Sequence, residues 1–171
     1  MTESEPITAQ SISAYDETVT SWAEARQGLA EARTYWLATV RPDGQPHVRP
    51  HLAVWVDDAL YFSSSPTSRK GKNLDHDAHC SVPTHSRGLD LVVEGTAVRV
   101  TDEASLQRVA DAYAAKYEWP VTVRDGAFVA EYGAPTAGPP PYHVFEVTPS
   151  TIFGFGEGPA TRWRFAPERR S

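Results

Sequence analysis

The chain has a single cysteine, Cys80, so no internal disulfide can form and a bridge-stapled scaffold is excluded. One thiol in a chain of this size fits a reducing cytosol. The sequence also lacks positive charge in excess. Its 16 Lys and Arg against 22 Asp and Glu give a formal net charge of -6, which argues against general nucleic-acid binding. No apolar run approaches the ~20 residues of a membrane span. The start, "MTESEPITAQ", has no basic-then-apolar order of a signal peptide, so a cytoplasmic protein with no membrane partner is expected. There is no internal repeat, and no catalytic triad or paired-acid motif.

What remains is a chain of 171 residues, 40% hydrophobic, enough for one domain with a sizeable core. Residues 1–18 are polar and aperiodic and are expected as a flexible N-terminal arm; residues 19–171 are expected as the domain. In "SWAEARQGLAEAR", Ser21 and Glu24 have capping-box spacing, and Trp22, Ala25, Leu29 and Ala32 recur at helical spacing. "TYWLATV", the turn "RPDG", "QPHVRPHLAVWV" and "LYFSS" read as a β-meander. Pro50 cannot donate to a ladder, so its strand is bulged or at an edge there. "HCSVP" and "GLDLVVEGTAVRV" are strand-like. "TDEASLQRVADAYAAKYEW" is the clearest helix, capped by Thr101 or Asp102, with Leu106, Val109, Ala110, Tyr113 and Tyr117 on one stripe. Residues 118–140 lead into "GAPTAGPPP", read as a loop without periodicity. "YHVFEV" and "TIFGF" read as two strands separated by a Thr-Pro turn. Hairpin-length spacings favour a mainly β, α+β antiparallel barrel over a doubly wound parallel sheet.

Against the acidic background, "SPTSRKGKNL" places Arg69, Lys70 and Lys72 within four positions, where a strand ends and a helix begins. Unpaired N–H groups and the helix dipole favour an anion there. Arg adds a planar fork for phosphate oxygens and Lys a point charge. Ser63, Ser64, Ser65, Thr67 and Ser68 supply hydroxyls. The same charges also suit a solvated turn.

The stretches "ATVRPDGQPHVRP", "ALYFSSSPTSRKGKNL" and "GLDLVVEGTAVRVTD", taken in order, resemble the pyridoxamine 5′-phosphate oxidase-like superfamily of FMN-binding split barrels. The resemblance is close over roughly 70 residues. It implies a six-stranded antiparallel split β-barrel with flanking helices, and a homodimer with flavin sites at the subunit interface. It assigns Arg69 and Lys70 to the cofactor phosphate, helped by Ser63 and Ser68. It sets Arg49, Pro50, His51 and Leu52 beneath the flavin ring, with Phe62 in the same wall. Lys72 and Asn73 suit the longer anionic tail of the deazaflavin coenzyme F-420, the alternative cofactor to FMN. Trp163, with Arg162 beside it, is expected near the cofactor. Asp90 stands where the oxidase has a side-chain amide. The oxidase's substrate-phosphate lysine is replaced by Val54 or Trp55, and "TRWRF" lacks the Arg-His substrate pair, which weakens the vitamin B6 substrate. The implied function is hydride transfer between a flavin-type cofactor and a small organic substrate. A non-catalytic flavin-binding or stress protein is the rival, and haem binding a minor one. His76, His79, Cys80 and His85 cross from a helix into a strand, so no metal site is expected.

Overall fold

The computed structural model describes residues 5–133 and 138–167. The elements run β1 (Thr8–Ser11), α1 (Trp22–Glu31), β2 (Tyr35–Val40), β3 (Pro46–His51), β4 (Ala53–Val56), β5 (Ala59–Ser64) and α2 (Arg69–His76). They continue β6 (His79–Ser86), β7 (Leu89–Val100), α3 (Glu103–Tyr117), β8 (Thr122–Arg124), β9 (Ala127–Val129), β10 (His143–Phe155) and β11 (Thr161–Arg164).

Every ladder is antiparallel, and the pairings close a ring. β2 pairs β3 and β6, β6 pairs β7, β7 pairs β10, β10 pairs β5, and β5 pairs β4. β3 and β4 are separated by Leu52 alone, so they act as one path that leaves β2 and joins β5. Counted that way the barrel has the six expected strands. β1 and β11 extend the sheet to nine strands, and β8–β9 form a separate hairpin. The barrel is split along β10. Its first half, from His143 to Val147, pairs β5, and its later residues Thr151 to Gly154 pair β11. The register against β7 shifts between Pro149 and Thr151. "YHVFEV" and "TIFGF" are therefore one bulged strand, not two strands around a turn. A proline that cannot donate is absorbed by a bulge as readily as by a reversal.

Local chemistry explains the corners. Asp57–Asp58, Arg87–Gly88 and Asp125–Gly126 all have positive φ, the conformation of two-residue hairpin turns whose twist matches the strands. Ser21 caps α1 through the Glu24 N–H, and Asp102 caps α3 through the Ser105 N–H, as their spacings predict. Pro50 lies on β3, which is hydrogen-bonded along β2 only, the edge position a missing N–H requires.

Two apolar clusters fill the fold. α1 lays Trp22, Ala25 and Leu29 over Leu91, Ile152 and Trp163, with Tyr35, Leu37, Leu60 and Phe62. α3 lays Leu106, Val109 and Tyr113 on Val54, Tyr61 and Phe128. The Arg26–Asp58 ion pair at 2.7 Å ties α1 to the β4–β5 turn.

Two expectations are corrected. The polar segment 1–18 is not wholly a loose arm, because Thr8–Ser11 pairs β11 from Arg164 to Thr161. An exposed edge strand carries no burial alternation, so its sequence shows no period. Likewise the stretch 118–140 holds the β8–β9 hairpin, whose three-residue strands are too short for a periodic signal. Residues 134–137 of the "GAPTAGPPP" loop lie outside the described residues.

Candidate anion-binding site

Alternation on β3 sends His47, Arg49 and His51 to one face, opposite Thr39, Leu37 and Tyr35 of β2. α2 begins beside this face. Ser68 is its N-cap, accepting from the Gly71 N–H at 3.1 Å while donating to Ser65 O at 2.8 Å. A Cβ on Gly71 would stand 2.6 Å from Ser65 O, so only glycine lets the Ser65–Ser68 loop lie directly on the first turn of α2. Asn73 is fully buried and donates to Thr39 Oγ1 at 3.0 Å, which fastens α2 to β2. His51 Nε2 lies 2.8 Å from Ser63 O, and its ring meets Phe62 edge-on at 5.5 Å. Phe62 in turn stacks on Phe145 at 5.3 Å.

The resulting surface is cationic. Lys70 is only 4% exposed, and burial, then Arg49, hold its ammonium below the ordinary lysine range. His51 is pushed down to about 4, by burial first and Lys70 second, so it is neutral at pH 7. His47 lies below its ordinary value because of burial and then Arg49, Arg41, Lys70 and Arg69. Among the described residues Arg41, Arg49 and Arg69 pair with no carboxylate. Arg41 Nε, His47 Nδ1, His51 Nδ1 and Asn73 Oδ1 are buried without a hydrogen-bond partner. Of these, Arg41 Nε and His47 Nδ1 can offer a proton to a bound anionic group beside the helix N-terminus, whereas neutral His51, whose Nε2 donates to Ser63 O, and the amide oxygen of Asn73 present acceptors.

The structure thus brings together Arg49, His51, Ser68, Arg69, Lys70 and Asn73, whereas Ser63 meets His51 only through its carbonyl and turns its side chain with Tyr61 to the Tyr113 side of β5. Ser68 serves the helix start rather than standing free as a ligand. Pro50 is on the opposite face of β3, paired with Trp36. Leu52 sits at the bend, its carbonyl accepting from Tyr113 Oη at 2.9 Å. Lys72 is exposed on α2.

Trp163 is corrected. It is completely buried against Trp22, with ring centroids 5.9 Å apart, and it would touch a Cβ at Gly154. It is a core residue of its own chain, because alternation on β11 turns it inward while Arg162 turns out to Gln10. Asp90 bonds His85 at 2.8 Å in a cleft of about 900 Å³ beside Phe155, at the far end of β10 from Ser63's partner Val144. His79 pairs with Asp77, and no cluster of three metal-type ligands occurs among the described residues. Sequence reasoning missed Thr39, Arg41 and His47. The signal was present: His47, Arg49 and His51 are two apart in one strand.

The fold is an antiparallel split barrel with a cationic surface at the start of α2. The chain belongs to the pyridoxamine 5′-phosphate oxidase family, whose model matches residues 21–155. It is 36% identical over 80 residues to a pyridoxine/pyridoxamine 5′-phosphate oxidase of Acidothermus cellulolyticus, 46% of this chain and 36% of that protein. The chain therefore spans about a third of that relative's length. A haem-binding protein from Mycobacterium smegmatis has a similar structure, with TM-score 0.65 and 19% identity over 86% of this chain and 60% of that one. A FAD-binding protein from Mesorhizobium loti matches with TM-score 0.57 and 24% identity, over 84% and 95%. An F-420 reductase matches with TM-score 0.52 and 21% identity, over 74% and 94%.

Proposed function

We propose that the protein is a flavin-type oxidoreductase whose cofactor phosphate is held at the start of α2 by Arg69 and Lys70. One observation carries this reading: cations cluster beside the buried, unpartnered Arg41 Nε and His47 Nδ1, and among the described residues no carboxylate pairs with Arg41, Arg49 or Arg69. Family membership and the relatives' FAD and F-420 chemistry support the flavin class. FMN is the leading cofactor and the deazaflavin coenzyme F-420 the alternative.

When bound, such a cofactor supplies the hydride chemistry. This chain's own residues would do the rest. Arg69 forks the phosphate and Lys70 adds charge from a desolvated position, where it acts at low dielectric. Arg49 extends that charge along β3. His51, neutral and fixed on Ser63 O, keeps β3 against β5 beneath the ring. Gly138 packs on Ser65, so the described part of the 133–141 loop borders the site where a small organic substrate would enter.

We also propose a homodimer. The outer face of β2 and β3 pairs Trp36 with Pro50, Ala38 with Val48, and Val40 with Pro46, all apolar. Trp36 is 47% and Val48 42% exposed, an apolar face suited to a second copy. A cytoplasmic location fits the single buried thiol, pushed up to about 12 by burial. No helix among the described residues is long and apolar enough to cross a membrane.

The test is to release by heat whatever the purified protein carries, weigh it, and titrate FMN and coenzyme F-420 into stripped protein. Saturable binding of either supports the reading. Failure of both sinks it. If binding holds but the reduced cofactor is reoxidised by enones and quinones no faster than in free solution, the protein binds without turnover.

A further inference from the structure

Of the site's residues, His47 and Arg41 are explained by neither the sequence motif nor the helix start, and His47 is the one that can change its charge. It is 5% exposed, its Nδ1 has no hydrogen-bond partner, and it lies opposite Thr39, the residue that receives Asn73 of α2. It therefore stands between the β2–β3 turn and the helix start. We propose that His47 is a ligand of the anion held at α2 and that it takes up a proton as that anion binds. This rests on the anion-site reading above but not on the anion belonging to a flavin.

The charges around His47 set the sign. Arg41 comes from the turn after β2, Arg49 from β3, and Arg69 and Lys70 from α2. No carboxylate is among the groups acting on it. In the free protein the four cations and burial all disfavour a fifth positive charge, and the imidazole is neutral at pH 7. A dianion entering among them offsets much of that repulsion at the closest range. The protonated ring is then favoured, and an otherwise unpartnered nitrogen gains an acceptor. Such a charge-assisted bond is stronger than a neutral one. By linkage, the anion must bind more tightly as the pH falls toward the histidine range. Arg41, whose buried Nε is also unpartnered, would face the same ligand from the turn.

The experiment follows the imidazole nitrogens of the full chain by long-range nitrogen–proton correlation spectra, from about pH 5 to about pH 8. Sulfate is the first probe, because it stays a dianion throughout, whereas a phosphomonoester titrates near pH ~6. Sodium chloride at equal ionic strength controls for simple screening, which alone relaxes the repulsion. FMN is the second probe. His47→Gln assigns the signal. Should that variant not fold, Gln variants of His51, His76, His79, His85 and His143 assign it by elimination.

The expected result is that sulfate raises the His47 midpoint by about one pH unit beyond the chloride control, and tightens about tenfold between the two ends of the range. His47→Gln loses that pH dependence and keeps the affinity seen at the high end. A midpoint that moves no further than with chloride overturns the proposal. The two failures are separable. FMN binding without a midpoint shift refutes His47 and leaves the cofactor reading intact. A sulfate shift without FMN binding does the reverse. No binding and no shift with either probe refutes both.

Discussion

Lys70→Met separates a functional cation from a structural one, because the two roles predict opposite changes. Lys70 is 4% exposed and stands near Arg49, and its ammonium is held below the ordinary range chiefly by burial. In the protein without ligand, then, the charge is a net cost of folding. Methionine keeps the unbranched stem and fills the same space. Removing a desolvated charge in favour of an apolar isostere should leave stability unchanged or raise it by about 1 kcal/mol, read as ~2–4 °C in melting temperature for a chain of this size. Binding should move the other way. A hydrogen bond to a charged group contributes roughly 1.5–3 kcal/mol, so Kd for FMN should rise about 10- to 150-fold. Part of that loss is screened attraction, so the gap between variant and wild type should narrow as salt shortens the Debye length from ~10 Å at 0.1 M to ~3 Å at 1 M. Fluorescence titration of FMN gives Kd, and a thermal melt of the stripped protein gives stability. A variant that melts well below wild type yet binds FMN with unchanged Kd would show that Lys70 is a structural pin, and the phosphate assignment would fall with it.

Three further outcomes follow from the fold. Trp163→Ala should cost ~3–5 kcal/mol in urea unfolding and leave FMN affinity per folded molecule unchanged, since the ring packs on Trp22 and Gly154; a stable variant with weak binding would return Trp163 to the site. Lys116 bonds Ala30 O, Tyr35 Oη and Ala53 O, and burial, then Arg33, bring it down to about 8. Its folded value lies below its unfolded one, so the unfolded chain binds more protons from about 8 to 10.5 and stability should rise with pH over that window. Buried tyrosines such as Tyr113, whose values are raised, reverse the trend above about 10, where the unfolded chain ionises them. Lys116→Met should remove most of the rise, leaving the part due to Lys70, which is also held below its ordinary value; a rise unchanged in the variant would assign it to another group. Trp36→Glu, on the exposed β2–β3 face, should halve the sedimenting mass if wild type is a dimer and leave the melting temperature of the monomeric unit little changed; a wild-type monomer that binds FMN would refute the shared-site arrangement.

The sequence by itself determined whatever depends on neighbours along the chain. Ser21 and Asp102 caps, the strand-ending "LYFSS", the cationic start of α2 and the proline at an edge all follow from spacing and backbone chemistry. The six-strand barrel was implied by the family resemblance, and "QPHVRPHLAVWV" fits it as one run that Leu52 bends from β2 toward β5. Tertiary structure decided what depends on partners distant in sequence. Thr8–Ser11 is a strand only because β11 offers it an edge 150 residues away. Trp163 was expected near the cofactor, yet the pleat turns it into the core and turns Arg162 out. The site's extension to Arg41 and His47 was likewise hidden. Their charges matter only once β3 is laid beside α2, where burial removes the water that would otherwise solvate each one separately.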